Sequence, residues 1–139
     1  MKHVGYKSRA YLFVVSYEFN PDDICNRLAV RSDDAIWRGS KNPSGTPELH
    51  PFNLVVFRSR LKASEDMEKH ALDLLDRISP IYQKIKSLPK HCHASINFTY
   101  SMPQNGGWNF GARTLKAIAK LGLECVFSLD ILRRDKSQP

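Results

Sequence analysis

Hydrophobic residues along the chain follow two different periods, and these periods predict strands and helices in alternation. Residues 6–19 are rich in aromatic and β-branched side chains, with a nearly continuous apolar run at 11–15, which predicts a central strand covered on both faces. Residues 92–101 alternate between apolar and polar positions, which predicts a half-exposed antiparallel strand. Weaker strand patterns occupy residues 30–37, 52–60 and 125–131.

Three further segments have helical spacing. Asn20-Pro21-Asp22-Asp23 combines a capping side chain, a proline at the first helical position and two acids, and it predicts a helix to about Leu28. Ser64 is placed to cap a second helix, in which Pro80 predicts a kink or two abutting helices. A third helix is predicted at about residues 113–121, where a glycine follows. The apolar face of the second helix comprises Met67, Ala71, Leu74, Leu75 and Ile78.

The resulting order β-α-β-β-α-β-α-β predicts an α+β fold. We expect a mainly antiparallel sheet of about five strands with helices on one or both faces, including a ferredoxin-like βαββαβ element. At 139 residues, the chain fits one domain spanning 1–139, with a polar tail from about Arg133. No internal repeat or interdomain linker interrupts the pattern, so one hydrophobic core is expected.

The composition indicates the cellular compartment in which the protein is expected. Cys25, Cys92 and Cys125 are odd in number, widely spaced and set in apolar patterns, so we expect reduced, buried core residues. No apolar run approaches the length of a membrane span, and no leader pattern follows the first residues. These features predict a soluble protein of the cytoplasm. The net charge of +7 would attract nucleic acid, an anionic membrane or an acidic protein, and charge alone does not choose among them.

Residues that usually carry catalysis or bind metals are scattered. His91 and His93 would share the exposed face of their strand, yet no paired ligand lies nearby at a familiar spacing, which favours two solvent-facing histidines. The cysteines sit at positions patterned as buried, where thiols react poorly. Asp33-Asp34 is a carboxylate pair that no helix N-terminus explains, and we expect it in a solvated turn. We therefore predict no catalytic residues, no metal, no cofactor and no enzymatic activity.

A glycine-rich segment at 104–111 precedes the last predicted helix. Free N–H groups there, with Arg113 just inside the helix, would suit a phosphate. The segment fits neither GxxxxGK[ST] nor GxGxxG, which favours a tight strand-to-helix turn with Trp108 folded onto the core. The sequence leaves anion binding by this loop open.

Two sets of residues suggest binding surfaces. Tryptophan and arginine dominate binding hot spots, and the candidates for contacting a protein partner are Trp37, Arg38, Trp108, Asn109 and Arg113, together with the loop 39–51. Basic residues that would serve nucleic acid if they converged with Trp108 and Tyr100 are Arg58, Arg60, Arg113, Lys116 and Lys120. A solvated basic surface is the ordinary alternative, because no aromatic-basic signature of an RNA-recognition module is present.

The chain also resembles a known family over nearly its whole length. The pattern includes Tyr17-Glu18-Phe19 at the end of the first strand, the turn at residues 20–24, and Trp37-Arg38-Gly39 after the second strand. On these residues the chain resembles the bacterial family known only as domain of unknown function 4279. The resemblance implies a small stand-alone bacterial protein that is associated with toxin-immunity systems, and it implies no catalysed reaction. The sequence departs from the family pattern at Arg31-Ser32, Ser40 and Phe52, so a function located there transfers least directly.

We therefore expect a non-enzymatic protein-binding module with one protein partner, and its specific form would be an immunity protein that neutralises a bacterial toxin. A nucleic-acid-binding protein is the alternative, and an unrecognised enzyme ranks third. The positive charge favours an acidic target over a nuclease, whose substrate-binding surface is basic. The sequence does not define the oligomeric state.

Overall fold

The computed structural model describes residues 7–42, 45, 47–102 and 107–131. The strands in this part of the chain are β1 (Lys7–Ser16), β2 (Asp34–Ile36), β3 (Asn53–Arg58), β4 (Cys92–Met102) and β5 (Glu124–Ile131). The helices are α1 (Pro21–Leu28), α2 (Met67–Ile78), the single-turn α3 (Tyr82–Lys86) and α4 (Ala112–Leu121), with a 3-10 turn at Ser79–Ile81. This turn confirms the break predicted at Pro80. None of the described helices combines the length and apolar character needed to cross a bilayer. The predicted polar tail lies outside the described residues.

The strands form one five-stranded sheet in the order β2-β3-β1-β4-β5. β1 lies at the centre and pairs antiparallel with both β3 and β4, as its continuous apolar run predicted. β2 pairs antiparallel with β3, so the first four strands have the arrangement of the predicted ferredoxin-like element. β5 extends this element by pairing parallel with β4 after the crossover through α4. The fold is α+β with a mixed, mostly antiparallel sheet.

In the described part of the chain, the helices cover one face of the sheet only. On β1, Ala10, Leu12 and Val14 are buried in a core that includes residues from all four helices, whereas Tyr11 and Phe13 on the opposite face are half-exposed. The prediction that β1 is covered on both faces was wrong, because every helix packs on the same side. We call the uncovered side the open sheet face. Its centre comprises Arg9, Tyr11 and Phe13 of β1 with their register neighbours Arg58 and Asn97.

Helices α1 and α2 differ in how their N-termini are capped. The Asn20 side chain accepts the N–H of Asp23 at 2.9 Å and Asp23 accepts the N–H of Asn20 at 3.0 Å, which closes a capping box and confirms the predicted start of α1. α2 begins at Met67 with Asp66 in the capping position, and the Asp66 side chain makes no capping hydrogen bond. The prediction that Ser64 caps α2 was wrong. Glu65 and Asp66, which precede α2, line a cavity at the start of the helix.

The second strand is shorter than predicted because its first part serves an ion-pair network. Asp33 accepts hydrogen bonds from the Arg77 guanidinium and, at 2.8 Å, from the N–H of Arg58, while Asp34 is paired with the Arg58 guanidinium. The hydrogen bond from Arg77 is the main cause that lowers the pKa of Asp33 below its ordinary value. The prediction of a solvated turn at Asp33-Asp34 was therefore wrong. These carboxylates tie β2 to β3 and α2.

A fully buried histidine ties α2 to the strands. His70 Nδ1 lies 2.6 Å from Ser59 Oγ, and His70 Nε2 lies 2.9 Å from the carbonyl oxygen of Lys62. Because a carbonyl only accepts, Nε2 carries the proton and Nδ1 accepts from the Ser59 hydroxyl. Ser59 Oγ in turn accepts the N–H of Ala10 at 3.2 Å. Burial lowers the pKa of His70, which favours the neutral ring.

Candidate functional site

One end of the sheet carries exposed aromatic and cationic side chains. Tyr17 follows β1, Trp37 follows β2 and Phe52 precedes β3, so the strand pairing brings them to the same end. Tyr17 is 58% exposed, Trp37 is 44% exposed and Leu49, on the same hairpin, is 56% exposed. We call this set the hairpin surface, and its members are Tyr17, Trp37, Arg38, Leu49 and Phe52.

Part of the hairpin surface is a stack of side chains. The Arg38 guanidinium lies over the Tyr17 ring, 5.7 Å from its centroid, and donates to the Tyr17 carbonyl oxygen at 3.4 Å. The Tyr17 ring meets the Phe52 ring edge to face, with centroids 6.3 Å apart. Both geometries are attractive, the first through the ring quadrupole and the second through the preferred aromatic arrangement. The stack holds the positive charge of Arg38 at the surface beside exposed aromatic area.

Hydrogen bonds fix the backbone beneath this stack. The side-chain oxygen of buried Asn53 accepts the N–H of Arg38 at 2.8 Å. Beyond β2, the N–H of Gly39 donates to the His50 carbonyl at 2.8 Å, and the N–H of His50 donates to the Ser40 carbonyl at 3.0 Å. Trp37 and Arg38 are therefore presented by a hydrogen-bonded hairpin.

The second tryptophan lies in a different setting. Trp108 stacks on Phe127 of β5 with centroids 5.4 Å apart, and it packs against Phe110 at 4.8 Å and Tyr100 at 6.3 Å. Phe98 joins Phe110 and Phe127 to the buried core. We call Phe98, Tyr100, Trp108, Phe110 and Phe127 the aromatic cluster. Trp108 is half-buried against the core, in agreement with the turn predicted for this segment.

The structure divides the five predicted partner-binding residues into two groups, with Trp37 and Arg38 in one and Trp108, Asn109 and Arg113 in the other. The first group follows β2 and the second adjoins β5, and these are the two edge strands of the sheet. The groups also lie at opposite ends of β1, which at about 3.3 Å per residue is roughly 30 Å long. They therefore belong to separate surfaces.

The basic residues predicted to contact nucleic acid are divided as well. Arg58 lies on the open sheet face and is paired with Asp34. Arg60 follows β3, and its backbone N–H donates to Asp73 of α2 at 2.7 Å. These positions do not form one basic surface with the cations of the last helix. Exposed on α4, on the helix-covered side of the sheet, are Arg113, Lys116 and Lys120.

An internal carboxylate lies at the start of α4. Glu68 of α2 accepts the N–H of Gly111, the residue that caps α4. A carboxylate thus occupies the place that a phosphate would take at this helix terminus. Residues 103–106 of the predicted anion loop lie outside the described residues, and in the described part, 107–111, the geometry favours the turn interpretation.

His91 and His93 do not share one strand face, contrary to the prediction. β4 begins at Cys92, and His91 turns to Ser16, with Nδ1 2.9 Å from Ser16 Oγ. His93 instead lies beside Glu124 of β5, with Nε2 and Oε2 3.1 Å apart. Among the described residues, no group of three or more His, Cys, Asp or Glu side chains is placed to hold a metal ion.

The three cysteines are half-buried against the core, not fully buried as predicted. Burial raises the pKa of the Cys92 thiol and that of the Cys125 thiol, which keeps both protonated at neutral pH. Cys25 packs on the same core from α1. This arrangement favours a packing role over nucleophilic chemistry.

Sequence reasoning missed several residues of these surfaces. Tyr17, Leu49 and Phe52 were assigned to strand or loop patterns, and only the strand register brings them together with Trp37. Their signal in the sequence is a large apolar residue just outside a strand pattern, where few core positions remain. Also missed were Ser8, Glu65 and Asp66, which border the cavity beside Trp108.

Comparison with known proteins identifies a family but no characterised relative. No curated protein matches this chain significantly, and no solved structure does. One family model matches residues 6–132, a range that includes every strand and helix of the fold. The chain therefore belongs to the family described as Domain of unknown function (DUF4279).

Proposed function

We propose that this protein is a non-enzymatic protein-binding module that engages one protein partner through the hairpin surface. The observation that carries the proposal is the exposed stack in which Arg38 lies over Tyr17 and Tyr17 contacts Phe52, at the same end of the sheet as exposed Trp37. Tryptophan, tyrosine and arginine are the residue types most enriched in binding hot spots. This composition supports a protein contact better than a catalytic role.

The order and exposure of the hairpin surface support the same proposal. Tyr17, Trp37 and Leu49 are large side chains that are each about half exposed at the same end of the sheet, and a concentration of exposed apolar side chains is typical of interaction sites. The hydrogen bond from Arg38 to Asn53 fixes the backbone before any partner arrives. A fixed surface loses little conformational entropy on binding, which favours affinity.

The charge of the hairpin surface favours an acidic partner. Arg38 places a cation beside the exposed rings, and Arg27 lies 5.4 Å from the ring centroid of neighbouring Phe19. With a net charge of +7 on the chain, an acidic surface would be steered toward this end. In the specific form of the proposal, the partner is a bacterial toxin that is neutralised when its acidic surface is covered, which fits the toxin-immunity association implied by the family resemblance.

Affinity capture from the native host with matched variants tests the proposal. Trp37→Ala and Arg38→Ala should each reduce recovery of one stoichiometric protein by at least about tenfold, because a truncated hot-spot residue costs upwards of 2 kcal/mol. Leu72→Ala is the control, since Leu72 is a large exposed side chain of α2 that lies outside the hairpin surface. The toxin form further predicts that co-expression with the wild-type chain, but not with Trp37→Ala, relieves growth inhibition by the captured protein.

Two results would contradict this proposal. The first is equal recovery of the partner by Trp37→Ala and Leu72→Ala, which would move the interface elsewhere. The second is a captured species that disappears after nuclease treatment, which would favour the alternative function.

That alternative, binding of single-stranded nucleic acid, draws support from the open sheet face. Tyr11 and Phe13 lie with ring centroids 5.6 Å apart at the centre of the sheet, and the same face carries Arg9 and Arg58. Aromatic side chains on an uncovered sheet can stack bases while nearby cations contact phosphates. The alternative predicts oligonucleotide affinity that falls steeply between about 50 and 200 mM salt and is lost in Tyr11→Ala. Absence of binding at low salt would remove it.

A further inference from the structure

A polar cavity lies beside Trp108, at the corner of the sheet opposite the hairpin surface. Its volume is about 240 Å³. Ser8 and Tyr100, which are register partners on β1 and β4, line its floor. Trp108 lines one wall, and the residues before and at the start of α2 line the other.

The cavity is acidic although the chain as a whole is basic. Glu65, Asp66 and Glu68 border it, and no lysine or arginine lies among the described residues that line it. Glu68 already accepts the N–H of Gly111, and Glu65 is paired with exposed Lys69 at 3.3 Å. Asp66 has no hydrogen-bond or ion-pair partner for its carboxylate in the described part of the chain. The Asp66 carboxylate is therefore available to a ligand, and the Glu65 carboxylate is held only by its ion pair with exposed Lys69.

A buried hydroxyl at the floor of the cavity points to a ligand independently of these acids. Ser8 is 3% exposed, and its backbone N–H donates to the Ala63 carbonyl at 2.8 Å. Ser8 lines the cavity, and its hydroxyl is not among the described polar atoms that are both sealed from solvent and unpartnered, so it is reached from the cavity. A hydroxyl that faces a cavity both donates and accepts, so it is placed to hydrogen-bond to a group bound there.

The walls select for a positively charged group. Trp108 and Tyr100 meet edge to face with centroids 6.3 Å apart, and both line the cavity. A cation near such rings is attracted by the quadrupoles of the rings and by the carboxylates together. The volume is below the roughly 300 Å³ of sites for drug-sized ligands, which suits one side chain or a small amine.

We infer that this cavity binds an organic cation, a guanidinium or an ammonium group, which donates hydrogen bonds to Asp66 and Ser8 while it lies against Trp108. The cation belongs either to a basic side chain of a peptide or to a free small amine, since the recognised chemistry is the same. The inference does not rest on the proposed function, because the hairpin surface occupies another corner of the molecule.

The fluorescence of Trp108 gives a direct test. In a Trp37→Phe chain, Trp108 is the one tryptophan left, so its emission reports on the cavity alone. Titration with acetyl-arginine amide should change this emission saturably, whereas acetyl-citrulline amide, which is neutral and nearly the same shape, should not. Asp66→Asn should weaken binding about tenfold, which corresponds to about 1.4 kcal/mol, and Ser8→Ala should weaken it several-fold.

A control variant and a comparison of two cationic ligands distinguish the possible results of the titration. Asp76→Asn is the matched control, because Asp76 is an exposed acid of α2 that does not line the cavity. Tighter binding of acetyl-arginine amide than of agmatine assigns the cation to a peptide, and the reverse order assigns it to a free amine. A response to citrulline equal to that to arginine overturns the inference, as does an Asp66→Asn midpoint that matches Asp76→Asn or the absence of saturable change. Asp66 is exposed, so its variant remains informative even if Ser8→Ala unfolds.

Discussion

The two tryptophans of this chain occupy opposite corners of the sheet and differ in what surrounds them. Trp37 follows edge strand β2, is 44% exposed and immediately precedes Arg38 in the chain. Trp108 is half-buried in the aromatic cluster, stacks on edge strand β5 and adjoins the carboxylate of Asp66 across a cavity. Trp37 is thus the more exposed of the two, and Trp108 packs on the core through its ring.

Because of this difference, we expect Trp37 to contribute mainly to binding and Trp108 mainly to the stability of the fold. Truncation of the more exposed Trp37 removes less buried area than truncation of Trp108, which packs on the core and whose loss leaves a cavity. The local sign of charge also differs between the two corners, although both belong to a chain of net charge +7. The net charge is therefore a poor guide to the partners of either corner.

The largest expected effect is a difference in stability between the two tryptophan variants. Trp108→Ala should lower the free energy of unfolding by about 3 kcal/mol, because its ring packs on Phe127, Phe110 and Tyr100. Trp37→Ala should lower it by a smaller amount, about 1 kcal/mol, because Trp37 is 44% exposed. Urea unfolding followed by circular dichroism measures both. Equal losses would mean that Trp37 is also part of the core.

A smaller effect is expected at the support of the hairpin surface. Asn53→Ala removes the acceptor of the Arg38 N–H, which should cost about 1 to 2 kcal/mol and also weaken partner capture. Asn97→Ala is the control, because among the described residues its side-chain amide bonds only to Ser95 of the same strand, at 2.9 Å to the hydroxyl. A loss of stability in Asn53→Ala without loss of partner capture would mean that the partner does not bind through the hairpin surface.

The ion pair behind β2 should contribute about 1 kcal/mol, in a pH-dependent way. Because Arg77 lowers the pKa of Asp33 in the folded protein, this contribution is present above about pH 4 and is lost as the pH falls through the folded value. Asp33→Asn should therefore be less stable at pH 7 and should show a flatter decline between about pH 4 and pH 2. Urea midpoints against pH, with Asp76→Asn as control, measure this. Parallel curves for the two variants would remove Asp33 as the cause.

The smallest expected effect is a loss of stability in mild acid that originates on the Trp108 side. Burial lowers the pKa of His70, so the unfolded chain takes up a proton more readily, and stability falls as the pH drops below about 6.5. The carbonyl that His70 binds, that of Lys62, lies in the segment that leads to the acidic wall of the cavity. His70→Gln should flatten this dependence between about pH 7 and pH 5.5. An unchanged slope in that variant would assign the titration to another group.

Local sequence signals predicted most of the fold. Residues 92–101 alternate cleanly because one face of β4 is buried, and the Asn20-Asp23 box marks the start of α1 through contacts that span only three residues. The apolar run of β1 gave its central place in the sheet. It did not give the open sheet face, because that depends on the side on which each helix crosses.

The candidate surfaces were less predictable because they depend on register and on distant partners. Trp37 and Arg38 were identified by residue type alone, but Tyr17 and Phe52 reach them only through the pairing of β1, β3 and β2. The cavity at Ser8 required the packing of α2 against β1 and β4, which no local pattern encodes. Asp33 was misassigned for the same reason, since Arg77 lies on another element.

The central place of β1 also sets the order in which the chain can assemble during synthesis. β1 is made before the other described strands, and its two neighbours follow later in the sequence, since Tyr11 pairs with Arg58 and Lys7 pairs with Ser101. Contacts so distant in sequence slow folding, because long loops must close before they form. The long apolar run of β1 therefore stays unpaired until residues 53–58 are made, and one edge of β1 stays unpaired until residues 92–102 follow.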